Sequence, residues 1–189
     1  MNTRTAALLL LVMLGTPAYS RAQAAIEPSQ ASVGIANFGK VNENYYRGAQ
    51  PKPDDYAALA RLGIRTVIDL TKDGDLTEAA SVAREGMRFV RIPLTTTDRP
   101  TGEAVDRFLK LVNDPVNQPV YVHCQGDRHR TGLMTALFRL THDQWTADRA
   151  FGEMRKYEFE KGLLSHKALK SFLFDFYDTV VKPRAAGAS

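Results

Sequence analysis

The residues that could do chemistry begin at a single cysteine, Cys124, which is followed six positions later by Arg130. The cysteine comes directly after a short apolar run, 119–123, and the arginine opens a longer apolar run of helical type. Between them stand Gln125, Gly126, Asp127, Arg128 and His129. The pattern predicts a short loop between a buried strand and a helix, with the cysteine at its start and the arginine at its end.

A loop that leads into a helix N-terminus is suited to bind an anion. Its successive backbone N–H groups point into one concavity, and the helix dipole adds partial positive charge there. The same field favours the thiolate of Cys124 over the thiol, so the cysteine can act as a nucleophile at neutral pH. The planar guanidinium of Arg130 can hold two oxygens of a phosphoryl group. These residues predict phosphoryl transfer through cysteine, with 125–130 as the phosphate-binding segment.

At these residues the sequence resembles the cysteine-dependent protein tyrosine and dual-specificity phosphatases. Their signature is His-Cys-x5-Arg followed by Ser or Thr, and it is matched by His123, Cys124, Arg130 and Thr131. The run from His129 to Gly132 is closest to the atypical dual-specificity branch of the plant-and-fungi type, some members of which act on inositol pyrophosphates. The resemblance extends more loosely to 46–51 and 67–70, and it covers most of residues 40–160.

The resemblance implies a role for each of four residues. Cys124 attacks phosphorus, Arg130 and the loop amides stabilise the transition-state oxygens, and Thr131 hydrogen-bonds the departing thiolate. His123 supports the loop by bonding to its backbone. The resemblance implies no cofactor and no metal, and no second histidine or carboxylate stands at ligand spacing from His123 in the sequence.

A general acid on a separate loop must protonate the leaving oxygen. Asp98 is the preferred candidate, because it follows the strand that ends at Ile92 and precedes the helix before the cysteine strand, where the family carries its acid. Asp73 and Asp75 flank Gly74 and have the character of turn residues. They remain the alternatives for the acid.

Asp127 departs from the family pattern, which usually has glycine three residues after the cysteine; here Gly126 stands one place earlier. Aspartate tolerates a left-handed backbone better than most residues, so the loop can still close. Its charge would weaken phosphate binding if it faced inward. Two alternatives to a phosphatase therefore stay open. One is a phosphate-binding module without turnover, and the other is a rhodanese-like sulfurtransferase, whose loop also holds a lone cysteine but typically lacks Arg130-Thr131-Gly132.

The elements that must position these residues alternate between strands and helices. Strands are predicted over 41–46, 64–70, 87–92 and 119–123, and helices over 53–63, 75–86, 101–113, 131–138, 146–157 and 165–180. Residues 47–51 are predicted to form a turn. The alternation predicts an α/β single-domain layer sandwich with a mostly parallel central sheet flanked by helices, which is also the fold that the resemblance implies.

The two ends of the chain are expected to lie outside this domain. Residues 1–24 have the layout of a secretory signal, with Arg4, an apolar stretch too short for the roughly 20 residues that span a bilayer, and cleavage positions after Ser20 or Ala24. The prediction is a cleaved signal over 1–24, a flexible leader over 25–37, a phosphatase-like domain over 38–182 and a disordered tail over 183–189. The protein is expected to be exported, to the periplasm or outside the cell.

The composition excludes several other classes of protein. The chain has 189 residues, 44% hydrophobic and 24% charged, with 13 Gly and 9 Pro, which is typical of one globular domain and not of a collagen-like or disordered chain. Its formal net charge of +4 includes Arg4 and Arg21 of the predicted signal, and the basic residues gather only at 128–130. We expect a monomer that acts on a phosphorylated protein or a small phosphoester, with no nucleic-acid partner and no membrane span.

Overall fold

Five strands form one sheet in the order β1-β2-β5-β3-β4. The computed structural model describes residues 33–161 and 166–187; the predicted signal, 1–24, and the predicted leader over 25–32 lie outside them. The strands are β1 (Gly39–Asn42), β2 (Tyr45–Gly48), β3 (Thr66–Thr71), β4 (Arg88–Leu94) and β5 (Val120–His123). Only the β1–β2 pair is antiparallel among these strands. The predicted mostly parallel sheet is confirmed.

The pairing of the central strands determines which residues lie beside β5, the strand that leads to Cys124. In β5, Val122 pairs with Arg47 of β2 on one side and with Ile68 of β3 on the other. Every residue of β3 and β5 is buried. Both strands are buried because helices cover both faces of a parallel sheet.

Seven α-helices in the described residues flank this sheet. They are α1 (Asp55–Arg61), α2 (Glu78–Arg84), α3 (Gly102–Asn113), α4 (Arg130–Thr141), α5 (Ala147–Lys156), α6 (Lys167–Phe176) and α7 (Lys182–Ala186), with a π-helical turn, Tyr177–Val181, between the last two. Glycines mark the ends of α1 and α2, where Gly63 and Gly86 have φ of 81° and 75°. Among 33–161 and 166–187, no helix is both long enough and apolar enough to cross a membrane.

Two apolar cores lie on the two faces of the sheet. One contains Ile68 and Val122 together with buried side chains of α3, α4, α5 and α6. The other contains Val67 and Tyr121 with buried side chains of α1 and α2. Neighbouring strand residues reach opposite cores because side chains alternate along a strand. Since α4 lies among α3, α5 and α6, it is apolar around most of its circumference.

The strand predicted over 41–46 is wrong, because the chain reverses inside it. Asn42 ends β1, and its side-chain oxygen accepts a hydrogen bond from the Asn44 amide at 2.8 Å. This side-chain turn reverses the chain so that β2 pairs back on β1. Arg47 and Gly48, predicted as part of a turn, therefore belong to β2.

The predicted flexible leader and the predicted disordered tail are also wrong in part, within the residues that the structure describes. Val33 and Ile35, predicted within the flexible leader, are buried in the second core. At the other end, α7 occupies 182–186, within which 183–186 was predicted to be disordered. Pro183 is compatible with that helix because it lies in the first turn, where no intrahelical N–H bond is required.

Removal of the N-terminal cap of α3, the helix before the cysteine strand, should show how much one local hydrogen bond contributes to the free energy of unfolding. The hydroxyl of Thr101 accepts a hydrogen bond from the Ala104 amide at the start of α3, at 3.2 Å. Thr101→Ala should therefore lower the free energy of unfolding by about 1 kcal/mol in urea denaturation. Thr77→Ala is the control for the loss of an exposed threonine hydroxyl, because Thr77 precedes α2 without a side-chain cap bond and its hydroxyl bonds to the exposed Asp75. Equal losses in the two variants would contradict this account.

Candidate active site

The cysteine lies where the sequence placed it, at the junction between a strand and a helix. Cys124 directly follows β5 and is 2% exposed, and α4 begins at Arg130. The residues 124–129 between these elements are called the cysteine loop below. It opens at the carboxyl end of parallel strands, the edge of an α/β sheet where ligands commonly bind.

The cysteine loop is bonded from outside at three consecutive carbonyl groups. The carbonyl oxygens of Gln125, Gly126 and Asp127 accept hydrogen bonds from the Gln50 amide at 3.3 Å, the Asn37 side chain at 3.1 Å and the Arg47 guanidinium at 2.9 Å, respectively. The loop peptides are trans, and in a trans peptide the C=O and the following N–H point in opposite directions. Each N–H group of 126–128 is therefore directed away from the donor that bonds the carbonyl of the same peptide, which leaves it available to an anion.

Asp127 is turned toward Arg47 and is buried. Its φ of 59° is left-handed, and its two carboxylate oxygens accept hydrogen bonds from Arg47 Nε at 3.1 and 3.0 Å. Burial raises the pKa of Asp127 to about 7, while the Arg47 guanidinium acts in the opposite direction. The carboxylate is thus paired with a cation inside the protein, on the same side as the donors that bond the loop carbonyls.

The Arg130 guanidinium is buried and does not use all of its hydrogen-bond donors within the described part of the chain. Its Nη1 lies 3.5 Å from the Leu94 carbonyl oxygen and 3.9 Å from Asp73 Oδ1. Its buried Nε has no hydrogen-bond partner in the described part of the chain. Arg130 and Asp98 both line a pocket of about 130 Å³, which connects the start of α4 to the segment 93–101. This arrangement leaves a guanidinium available to an incoming anion.

The three candidate acids have different surroundings. Asp98 is exposed, and its Oδ2 accepts a hydrogen bond from the Thr95 hydroxyl at 2.8 Å. Asp73 is also exposed but belongs to the loop after β3. Asp75 accepts hydrogen bonds from the amide and hydroxyl of Thr77, which lower the pKa of Asp75 and hold it at the start of α2. The structure therefore brings Asp98 and Asp73, but not Asp75, into contact or a shared pocket with Arg130.

His123 is paired away from the cysteine loop. Its Nε2 lies 2.8 Å from Glu78 Oε1, and both side chains are fully buried. The Tyr56 hydroxyl donates to the same carboxylate oxygen at 3.0 Å. The Nδ1 of His123 has no hydrogen-bond partner among the described residues, so the expected bond to the loop backbone is not seen. Sequence reasoning missed Glu78, because its distance along the chain carries no spacing signal.

Two carboxylates do approach His123, contrary to the expectation from sequence spacing. Asp69, Glu78 and His123 each offer a ligand atom within 4.8 Å of the others. The Arg91 guanidinium already pairs with both carboxylates, however. Its Nε lies 2.7 Å from Asp69 Oδ2, and its Nη2 lies 3.8 Å from Glu78 Oε2. A metal ion there would have to displace or face that cation. The group is best described as a buried ion-pair network behind the cysteine.

Two further loop residues have defined surroundings. The rings of His129 and His166 are in contact, with centroids 3.4 Å apart and planes tilted by 32°, and His166 Nδ1 lies 3.1 Å from the Thr96 carbonyl oxygen. Arg128 Nε lies 3.2 Å from Glu158 Oε2. At the start of α4, the buried Thr131 hydroxyl has no hydrogen-bond partner within the residues that the structure describes. It is therefore available to bond to a group in the loop.

The fold and the site together define a phosphatase of the cysteine-dependent class. The family described as "DSP-PTPase phosphatase fused to NAD+ Kinase" matches residues 25–171. The chain belongs to this family. This result decides for a phosphatase over the rhodanese-like alternative.

Individual relatives agree with the family. The chain is 30% identical over 155 residues to the dual specificity protein phosphatase TpbA of Pseudomonas aeruginosa, covering 80% of this chain and 69% of the relative. It is 24% identical over 148 residues to the inositol diphosphatase SIW14 of Saccharomyces cerevisiae, covering 75% of this chain but 51% of that protein.

Solved structures show the same fold. The crystal structure of Pseudomonas aeruginosa TpbA has a TM-score of 0.66 and 25% identity, with 82% of this chain and 92% of that chain covered. The core catalytic domain of SIW14 from Saccharomyces cerevisiae, in complex with citrate, also gives a TM-score of 0.66, at 22% identity, with 82% and 93% covered.

The contact between His129 and His166 predicts an unusual titration of His129. Burial, and then the neighbouring His166, lower the pKa of His129 to about 4, so its imidazole should be neutral at pH 7. NMR titration of the ring protons should show a midpoint near pH 4 that rises in His166→Ala. Because the unfolded chain takes up this proton near pH 6.5, the folded state should lose stability as the pH falls from 6.5 to 4. A His129 midpoint at or above 6.5 would contradict this assignment.

Proposed function

We propose that this phosphatase hydrolyses phosphate monoesters through a cysteinyl-phosphate intermediate formed on Cys124. The observation that carries the proposal is the bonding of the cysteine loop. Three consecutive carbonyl groups of the loop accept hydrogen bonds from residues outside it, so the N–H group of each of these peptides points away from its donor. Arg130 follows in the first turn of α4 with an unpartnered buried Nε in the described part of the chain. Together these groups supply the positive charge that three phosphoryl oxygens require.

The first chemical step transfers the phosphoryl group to sulfur. The Cys124 thiolate attacks phosphorus in line with the leaving oxygen, an S–P bond forms and the P–O bond breaks. Arg130 and the loop amides bind the equatorial oxygens, and Asp98 donates its proton to the leaving oxygen. Asp98 is preferred over Asp73 because it shares a pocket wall with Arg130 and belongs to the loop between β4 and α3.

The second step returns the enzyme to its starting state. Asp98, now a carboxylate, takes a proton from a water molecule as the water attacks phosphorus. The S–P bond breaks, inorganic phosphate leaves, and the sulfur departs as a thiolate. The Thr131 hydroxyl, which is buried beside the loop at the start of α4, donates a hydrogen bond to that thiolate.

We infer a phosphorylated protein or a small phosphoester, including inositol phosphates, as the substrate. The named relatives act on both kinds, one being a dual specificity protein phosphatase and the other an inositol diphosphatase. Arg128 lies two residues before Arg130 and is paired with Glu158, so a substrate with a second phosphate would compete with that carboxylate for the Arg128 guanidinium. A phosphate-release screen across phosphotyrosine, phosphoserine and inositol phosphates, with chelator present, would rank these classes.

We also propose that the mature protein is exported and acts as a monomer. The signal-like layout of 1–24 supports export, and cleavage would leave the matched region from 25 onward. Cell fractionation and the intact mass of the recovered protein test export and the cleavage position. Sedimentation of that protein tests the monomer.

Replacement of the nucleophile should separate turnover from binding. Cys124→Ser should abolish phosphate release, because a serine hydroxyl does not ionise at neutral pH in the loop. The variant should remain folded by circular dichroism and should still bind vanadate, since the loop amides and Arg130 are unchanged. A substantial rate in Cys124→Ser would rule out covalent catalysis by cysteine and favour a mechanism with direct attack by water.

The two remaining acid candidates can be distinguished by leaving-group dependence. Asp98→Asn should lower the rate by roughly 10²- to 10⁴-fold on an alkyl phosphate and by less on an aryl phosphate, whose leaving group needs less protonation. Asp73→Asn is the matched control and should change the two rates little and equally. If Asp73→Asn instead showed the larger loss on the alkyl phosphate, the acid would be Asp73. Equal losses in Asp98→Asn on both substrates would indicate a structural role for Asp98.

A further inference from the structure

One arginine holds both the side chain and the backbone of a residue in the cysteine loop. Arg47 donates from Nε to both carboxylate oxygens of Asp127 and from Nη2 to the Asp127 carbonyl oxygen at 2.9 Å. Neither side chain is exposed to solvent. The position of this one guanidinium therefore determines both where the Asp127 carboxylate lies and which way its peptide group faces.

The guanidinium is itself held in place from two sides. Arg47 belongs to β2, where it pairs with Val122 of β5, two residues before Cys124. The ring of Tyr157 stacks on it, with the guanidinium carbon 3.7 Å from the ring centroid. Arg47 is thus fixed relative to the strand that carries the cysteine.

Asp127 has two reasons to leave its present conformation if Arg47 were absent. Its φ of 59° is left-handed, a conformation that costs energy for any residue other than glycine. Its buried carboxylate would also have no cation beside it, so it would have to turn toward water or take up a proton, and either change ends the bonds that hold the left-handed conformation. A carboxylate released in this way would turn toward water and rotate the peptide group that follows, so the Arg128 N–H would leave the anion site.

We propose that Arg47 is a positioning residue for the anion site and that it acts through Asp127. The Arg47–Asp127 pair takes the place of a glycine, because a fixed side-chain bond holds the left-handed conformation that glycine would adopt without help. The inference rests on the proposed function, since the anion site is the one assigned there to the phosphoryl group.

Two measurements report on the loop without requiring turnover. They are the affinity for tungstate, by calorimetry, and the rate at which iodoacetamide alkylates Cys124 at pH 7. Arg47→Met should weaken tungstate binding by about tenfold or more, the effect of losing a charge-assisted bond to a buried group. The alkylation rate should also depart from the wild-type value, because the buried Cys124 lies at the start of the loop whose peptides have rotated.

A double variant tests whether Arg47 acts through Asp127. Arg47→Met combined with Asp127→Gly removes both charges and supplies glycine at the left-handed position, so tungstate affinity and alkylation rate should recover most of the loss seen in Arg47→Met. The remaining difference from wild type measures the Arg47 bond to the carbonyl of residue 127, which the double variant also lacks. A role of Arg47 through its own charge or through general stability predicts no such rescue. If Arg47→Met does not fold by circular dichroism, the double variant still decides: tungstate binding by the folded double variant supports the proposal, and its complete loss overturns it.

Arg139→Met is the matched control for the loss of a paired arginine. Arg139 bonds to Glu153 and Asp143 near the far end of α4 and should affect stability but not tungstate binding. Wild-type tungstate affinity in a folded Arg47→Met would overturn the proposal, as would an equal loss of affinity in Arg139→Met. Phosphate release by the wild-type protein tests the proposed function separately: if no substrate were turned over, that function would fall, while the tungstate ratios would still decide the role of Arg47.

Discussion

The direction of three carbonyl groups in the cysteine loop is the constraint on which the rest of the site depends. Backbone N–H groups can converge on an anion only if the carbonyls of the same peptides are bonded elsewhere, because both cannot point inward. Here the partners are Gln50, Asn37 and Arg47. Residues 37–50, which precede α1, thus hold the loop from outside. The packing of the segment around Ile35 therefore has a functional consequence.

The buried carboxylates around the loop are each paired with a nearby basic side chain. Asp127 is paired with Arg47, and the Asp69 and Glu78 carboxylates are served by Arg91 and His123. An unpaired carboxylate so close to the loop would oppose the binding of an anion and would be costly to bury. Arg47 and Arg91 offset these carboxylates, which leaves Arg130 and the loop amides as the groups that an anion meets.

The parallel sheet turns these local arrangements into one site. β5 lies between β2 and β3, so residues at the ends of these strands meet at one edge. β4 then delivers the segment 93–101, with Asp98, to the same edge beside Arg130. Helix α4 starts at that edge and is buried along most of its length, which gives the loop a rigid base.

The sequence was sufficient to place the candidate site residues that lie close together along the chain. Cys124, Arg130 and Thr131 lie within one strand–loop–helix unit, so their order along the chain already specifies their neighbourhood. The alternation of strands and helices likewise predicted the mostly parallel sheet, because apolar periodicity is a local property of the chain. Asp98 could be placed on a loop near the site by the same reasoning.

Only the tertiary structure decided the pairings between residues distant in the chain. Arg47 with Asp127, Glu78 with His123, and Asn37 with the loop carbonyl of Gly126 are each joined by sheet register and helix packing, which no short-range pattern encodes. For the same reason the sequence could state that the charge of Asp127 mattered but not which way it faced. That direction depends on a guanidinium presented by a neighbouring strand, and strand order is a property of the folded chain.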